Sequence, residues 1–262
     1  MPKPMLHAIP DHVLSGTFKT AFVSRSESNW VDQIIEKLNC DGLATFDGVT
    51  STAEFLEFAA CFGEVRVHPQ TDQHGITTMT TSDKYHIQSG IVETPFAKEQ
   101  LFHTDGSKMV DPPGVVAIYC EAPDPNTPRV NVFAHGGTLF ERLVEENPNL
   151  LEVLRQPIDF GEFRSPVFTT REDGLTSVRF RQAPEPPKMD LPDEVRFAVD
   201  ARLRQPDLLL GVTLSQGQGV IFNNHIMLHG LGRSFGIGRV AKRVQLTTGP
   251  DSPIKAGFRL QA

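Results

Sequence analysis

The residues best suited to chemistry sit in LFHTDGS, residues 101 to 107, where His103 and Asp105 are separated by a single residue. In a strand or its extended end, positions i and i+2 point to the same side, so an imidazole and a carboxylate can converge on one ion. A second segment, GQGVIFNNHIMLHGLGRSFGIGRVAKRV from residue 217 to 244, is an apolar, strand-like run that ends in a polar turn and offers His225 and His229. A third ligand arriving from that distant strand completes two histidines and one carboxylate on one face of an ion, with three adjacent positions left open. Non-haem Fe(II) oxygenases use this facial arrangement, the open positions serving a co-substrate and dioxygen. Arg239 and Arg243 follow, four residues apart, and in a strand this even spacing puts both guanidinium groups on one face. A guanidinium forks onto a carboxylate through two charge-assisted hydrogen bonds, so two forks beside an ion suggest a dicarboxylate co-substrate.

These side chains need a scaffold, and the 20 prolines and 21 glycines cut the chain into short pieces that favour strands and turns over long helices. The run SNWVDQIIEKLN (28–39) places Trp30, Ile34, Ile35 and Leu38 on one helical face, with Ser28 as its N-cap. A short strand, GLATF, follows. STAEFLEFAACFG then reads as a second helix, capped by Ser51 or Thr52, with Glu54 in its first turn and Gly63 at its end. Beyond Gly63 the segments VRVH, ITTMTT, GVVAIYC, VNVF, LTSVRF, GVTLS and GVIFNN are short, β-branched and bounded by turn residues. Two helical stretches interrupt them, Gly137 to Gln156, broken at Pro148, and Pro192 to Pro206, with Pro192 in the first turn. QAPEPPKMDLP (182–192) reads as a surface loop. The expectation is one α+β, mainly β domain over 1–262, a barrel or sandwich with a helical N-terminal part over about 28–63 and a helical insert over about 137–206.

Composition narrows the function classes. Hydrophobic residues at 39% and charged residues at 22% fit a globular chain and exclude a collagen-like, coiled-coil or disordered architecture. With 25 basic against 32 acidic residues the net charge is −7, and no Lys or Arg run offers a grip on a phosphate backbone, so nucleic acid is not expected as a partner. No run approaches the ~18–20 apolar residues a membrane helix needs. The N-terminus shows no secretory h-region, and the three cysteines Cys40, Cys61 and Cys120 form no CxxC pair. They read as reduced thiols in a cytoplasmic protein.

Taken together, GLATFDG, FGEVRVHP, LFHTDGS, DPPGVVAIYC, NNHIMLHGLGRSF and RVAKR resemble the taurine/2,4-D dioxygenase (TauD/TfdA, clavaminate synthase-like) family over most of the chain. The resemblance implies a double-stranded β-helix, the jelly-roll or cupin-like core, and Fe(II), 2-oxoglutarate and O2 as cofactor and co-substrates. By the same resemblance His103, Asp105 and His229 are the iron ligands, Arg239 holds the distal carboxylate of 2-oxoglutarate, and Arg243 faces the primary substrate or the other end of the co-substrate. Where the family commonly has a threonine that touches 2-oxoglutarate, this chain has Asn131, and Arg233 stands near the place of the arginine that usually follows the distal His-Gly. Related halogenases have a small residue in place of the carboxylate, so Asp105 disfavours halogenation.

Other residues follow from position. His225 competes with His229 for third ligand, but GVIF and the NN turn before it argue against the helix that would favour both. His68 and His86 lie where related enzymes line the substrate pocket, and Gln88 precedes the His-x-Asp strand. Arg179 and Arg181 share a strand face, and the 18 phenylalanines fill the core. The reaction these readings imply is hydroxylation of an unactivated C–H in a small polar, carboxylate-bearing, amino-acid-like molecule, with release of succinate and CO2. The same site serves desaturation or cyclisation, and the competing class is a non-catalytic metal-binding jelly-roll module. A zinc hydrolase is disfavoured because no HExxH-like glutamate accompanies the ligands. The resemblance also implies a homo-oligomer, a dimer or tetramer.

Overall fold

A computed structural model describes residues 17–82, 86–88, 90–95, 100–124, 130–182, 191–231 and 238–260. The N-terminal part forms helix α1 (Trp30–Cys40), strand β1 (Leu43–Phe46) and helix α2 (Thr52–Ala60). Ser51 caps α2 by accepting from the Glu54 amide at 3.2 Å, as its residue type dictates. Ser28 caps nothing: α1 starts one turn position later, behind Asn29, and has no side-chain cap. The expected strand VRVH is cut down to β2 (Glu64–Val65), which pairs with Leu246 and Thr247. The chain then turns at once, His68 and Thr71 bonding each other's backbone and side chain.

Next come β3 (Ile76–Ser82), β4 (His86–Gln88), β5 (Ile91–Pro95), β6 (Gln100–His103), β7 (Val115–Ala122) and β8 (Val130–His135). Helices α3 (Gly136–Glu146) and α4 (Pro148–Arg155) meet at Pro148, whose missing N–H suits a first-turn position. The rest of the insert is not helical as expected. Residues 158–178 form β9 (Ile158–Asp159), β10 (Arg164–Ser165), β11 (Phe168–Thr170) and β12 (Thr176–Val178), two small hairpin pairs, before helix α5 (Asp193–Arg202). Pro157, Gly161, Pro166 and Gly174 punctuate that stretch too closely for a helical turn to propagate. Pro192 stands at the N-cap of α5, one place before the first turn. Strands β13 (Leu209–Thr213), β14 (Gly219–Asn223), β15 (Met227–Leu231) and β16 (Val240–Thr247) complete the chain order.

The strands assort into a large sheet, ordered β1-β14-β7-β16-β3-β5-β4 with β2 added beside β16, and a four-stranded sheet ordered β13-β8-β15-β6. Apart from the parallel β3–β5 pair, the strand pairs within these two sheets are antiparallel. Two sheets of antiparallel strands facing each other make the expected double-stranded β-helix core. Strand alternation sorts the large sheet. Val116, Ile118, Cys120, Val220, Phe222 and Ala241 face the four-stranded sheet, where Phe222 meets Phe133 at 5.2 Å between ring centroids. Val115, Ala117, Tyr119, Ile221, Val244 and Leu246 face the other way and are covered by α1 and α2 through Ile34, Leu38, Phe55 and Phe58. No described helix is long and apolar enough to cross a membrane.

Candidate metal centre

Backbone register brings the two histidines together. His229 on β15 pairs with His103 at the end of β6, and on their outer sides stand Phe133 of β8 and Arg181, which bridges to His103. Phe133, His229, His103 and Arg181 therefore form one cross-strand row on a single face of the sheet. The imidazole centroids of His103 and His229 lie 4.3 Å apart. Asp105, two residues past His103, points the same way, and its Oδ1 is 3.6 Å from the Nε2 atom of each histidine. The ligand atoms of His103, Asp105 and His229 all lie within 4.8 Å of one another, and all three side chains are buried.

A separation of 3.6 Å is too long for a hydrogen bond and leaves room for a shared ion between nitrogen and oxygen. Electrostatics suit one. Burial, with His103 beside it, pushes His229 down to about 4, against the opposing pull of Asp105, so the imidazole is neutral at neutral pH and its lone pair is free for a metal. Burial alone would raise the Asp105 carboxyl, but the Arg243 guanidinium and the two imidazoles override it and hold the group well below the usual carboxylate range. The donor set, two imidazole nitrogens and one carboxylate oxygen, fits a divalent transition metal, and the facing arrangement fits Fe(II).

The surroundings hold Asp105 from several sides. Its backbone N–H donates to Asn224 Oδ1 at 2.8 Å, and Asn224 Nδ2 donates back to the Asp105 carbonyl at 2.9 Å and to the Pro113 carbonyl at 2.8 Å. Gln245 Nε2 donates to Oδ2 at 2.9 Å, and Arg243 Nη1 to Oδ1 at 3.2 Å. Sequence reasoning missed Asn224 and Gln245. The bonds span 119 and 140 residues, and nothing local in NNH or RVQ announces them.

Arg243 and Gln245 alternate along β16 and share its inward face, while Arg239 lies one residue before the strand, ahead of a register shift at Val240. Arg239 is buried, and its Nη2 donates to Asn131 Oδ1 at 3.4 Å, while Asn131 Nδ2 donates to the Val212 carbonyl at 3.2 Å. The two residues expected at the co-substrate thus meet. Burial lowers the Arg239 guanidinium's proton affinity, and nearby Cys120 and Asp124 counter that. Arg243, expected at the substrate, donates from Nη1 to the Oδ1 of the ligand carboxylate at 3.2 Å.

His68 belongs to the same neighbourhood. Burial and the Arg243 charge lower its pKa, and Asp105 pulls it up. Its Nδ1 accepts from the Gln70 amide at 3.3 Å, which leaves the proton on Nε2, and that atom is buried without a hydrogen-bond partner among the described residues. Gln88 and His86 lie on β4, paired with Ile91 and Glu93 at the sheet edge, but their side chains fall outside the described residues, as does Arg233. His225 is not brought to the triad. It lines a separate cleft with Arg171 and Lys255, and burial, with Arg171 and Arg179 near it, pushes it down to about 4. Arg179 and Arg181 part company: Arg179 fastens the loop after Asp105, donating to the Met109 and Val110 carbonyls at 2.8 and 3.3 Å, while Arg181 joins the histidine row. Lys108, three residues past Asp105, has its pKa lowered by burial and by the Arg181 charge.

Comparisons with known proteins follow the same line. The family model described as "Taurine catabolism dioxygenase TauD, TfdA family" matches residues 19–245. No curated protein matches the chain. Among solved structures, a taurine dioxygenase from Burkholderia xenovorans superposes with a TM-score of 0.61 at 17% identity, over 86% of this chain and 85% of that one. An asparagine oxygenase in complex with Fe(II), 2S,3S-3-hydroxyasparagine and succinate gives 0.62 at 15%, over 90% of each chain. The non-heme iron oxygenase OrfP in complex with Fe and alpha-ketoglutaric acid gives 0.62 at 13%, over 90% of this chain and 86% of that one. At such identities these likenesses establish the fold.

Proposed function

Because the chain belongs to the taurine catabolism dioxygenase TauD, TfdA family, we propose that it is an Fe(II)- and 2-oxoglutarate-dependent dioxygenase whose iron is held by His103, Asp105 and His229. The observation that carries this reading is the convergence of those three buried ligand atoms, with Arg243 bonded to the Asp105 carboxylate and the buried Arg239 bonded to Asn131. When bound, Fe(II), 2-oxoglutarate and O2 would supply an oxidant able to break an unactivated C–H bond, with succinate and CO2 released.

The chain's own residues do the positioning. The two imidazoles and the Asp105 carboxylate hold the ion and leave one side open. Arg239, buried and charged, grips the distal carboxylate of 2-oxoglutarate, and Asn131, fixed by the Val212 carbonyl, aligns that guanidinium. Phe222 and Phe133, with ring centroids 4.7 and 6.4 Å from His229, exclude water from the histidine side. On the open side, Arg243 keeps Nη1 on the Asp105 carboxylate and offers its Nε–H to the substrate, to which the His68 Nε2–H also donates, and we assign Gln88 to the same substrate. Arg181 and Lys108 add positive charge beside the ligands, which favours a small polar, carboxylate-bearing, amino-acid-like substrate. Hydroxylation is the outcome we assign. We further propose one domain, a cytoplasmic protein with its three thiols reduced, no nucleic-acid partner, and a homo-oligomer.

The test is the visible charge-transfer band of a keto acid chelated to Fe(II), measured without oxygen. Wild-type protein shows it, His103→Ala loses it, and Arg239→Met needs about 10- to 100-fold more 2-oxoglutarate, the ~1.5–3 kcal/mol of a charged hydrogen bond. No band in iron-loaded wild-type protein would overturn the co-substrate site and leave the metal-binding module.

A further inference from the structure

An aspartate can offer a metal one oxygen or both. Both would consume a position the facial triad must keep open. At Asp105 the choice is made by the protein: Oδ1 faces both histidines, at 3.6 Å from each Nε2, while Oδ2 is occupied by the Gln245 amide at 2.9 Å. The main chain of the same residue is held by the two-way bond to Asn224, and Arg243 Nη1 donates to Oδ1 at 3.2 Å from the other side. Gln245 is itself buried, and its backbone sits in the middle of the sheet, paired with Val116 of β7 and accepting from the Arg66 amide at 2.8 Å. A donor so placed cannot drift away from Oδ2.

We propose that Gln245 is a positioning residue for the metal centre, anchoring the outer oxygen of Asp105 so that the carboxylate presents a single oxygen to the ion. This rests on the reading that His103, Asp105 and His229 bind a divalent metal. Outer hydrogen bonds of this kind orient ligands and tune affinity, typically by 10- to 100-fold. Removing the Gln245 donor frees Oδ2 to swing toward the metal or to seek another partner, and either result changes the coordination number and the affinity.

Co(II) is the probe, titrated anaerobically into metal-free protein, with its visible absorption reporting coordination number. Gln245→Met, which keeps the side-chain length and loses the donor, is expected to weaken Co(II) binding by about 10- to 100-fold and to alter the band. The thermal midpoint of its metal-free form should stay within a few degrees of wild type, which a merely structural role would not predict. Gln245→Glu, which keeps size and replaces donor by acceptor, takes its place with the same expectation should the Met variant fail to fold. Unchanged affinity and an unchanged band in the folded variant would overturn the role of Gln245 alone. Wild-type protein that binds no Co(II), or a His103→Ala variant that binds it as well, would overturn the metal site beneath it.

Discussion

The two faces of the large sheet are built from the same strands and behave as different materials. On β16, Val244 and Leu246 turn outward under α1 and α2, while Arg243 and Gln245, one residue out of phase, turn inward to the Asp105 carboxylate. The outer face is mainly apolar in its buried part, centred on Phe58, which stacks on Trp30 at 5.5 Å and contacts Phe46 at 4.0 Å and Phe62 at 5.2 Å. The inner side buries His103, Asp105, Asn131, Asn224, His229, Arg239 and Gln245. Each buried apolar side chain outside contributes roughly 1.5–3 kcal/mol of stability. The paired polar groups inside return little net stability, since desolvation offsets their attraction. Stability and chemistry thus sit back to back across one layer of backbone, and mutations should separate them.

The largest effect is expected from His103→Ala, which should abolish metal binding and metal-dependent succinate release while the metal-free melting temperature holds; a variant that still turns over would break the division at its centre. Next, Phe58→Ala should cost about 3–5 kcal/mol in denaturant unfolding through the cavity it leaves. Its metal affinity, measured where it is still folded, should match wild type, and a tenfold loss would show that the faces are coupled. Acid provides a smaller test. His225 takes up a proton near 6.5 when unfolded and only at about 4 when folded, so the unfolded state binds more protons between these values and acidification destabilises the fold. From about pH 7 to pH 5 that amounts to about 2 kcal/mol, which a His225→Gln variant should not lose. A stability curve with the same slope in both proteins would remove His225 from the account. The smallest change, Ser51→Ala, should lower stability by about 1 kcal/mol through the lost α2 cap and leave Co(II) binding untouched.

The parts of this arrangement written in short-range chemistry were legible beforehand. His-x-Asp on an extended end and a serine ahead of a glutamate each follow from local geometry, and each stands where that geometry puts it. His229 rather than His225 was favoured by the absence of a helix. The decisive fact is the register that sets His229 opposite His103, a relation between residues 126 positions apart that no local pattern carries. Asn224 and Gln245 were illegible for the same reason, since a polar residue in a turn or an edge of a strand looks alike whether it faces water or a ligand. Of the short strands within the insert only β12, inside LTSVRF, was legible; β9, β10 and β11 were hidden by their brevity, because two- and three-residue strands have no periodicity.

Strand β16 is the last strand in chain order and yet lies in the interior of the large sheet, hydrogen-bonded to β7 on one side and to β3 and β2 on the other. Neither β7 nor β3 can complete its pairing in the large sheet until residues 240–247 are available to be slotted between them. Those residues also bring Arg243 and Gln245 to Asp105. Closure of the barrel and completion of the metal centre are therefore a single late event, and an ion arriving earlier meets histidines without a fixed carboxylate between them.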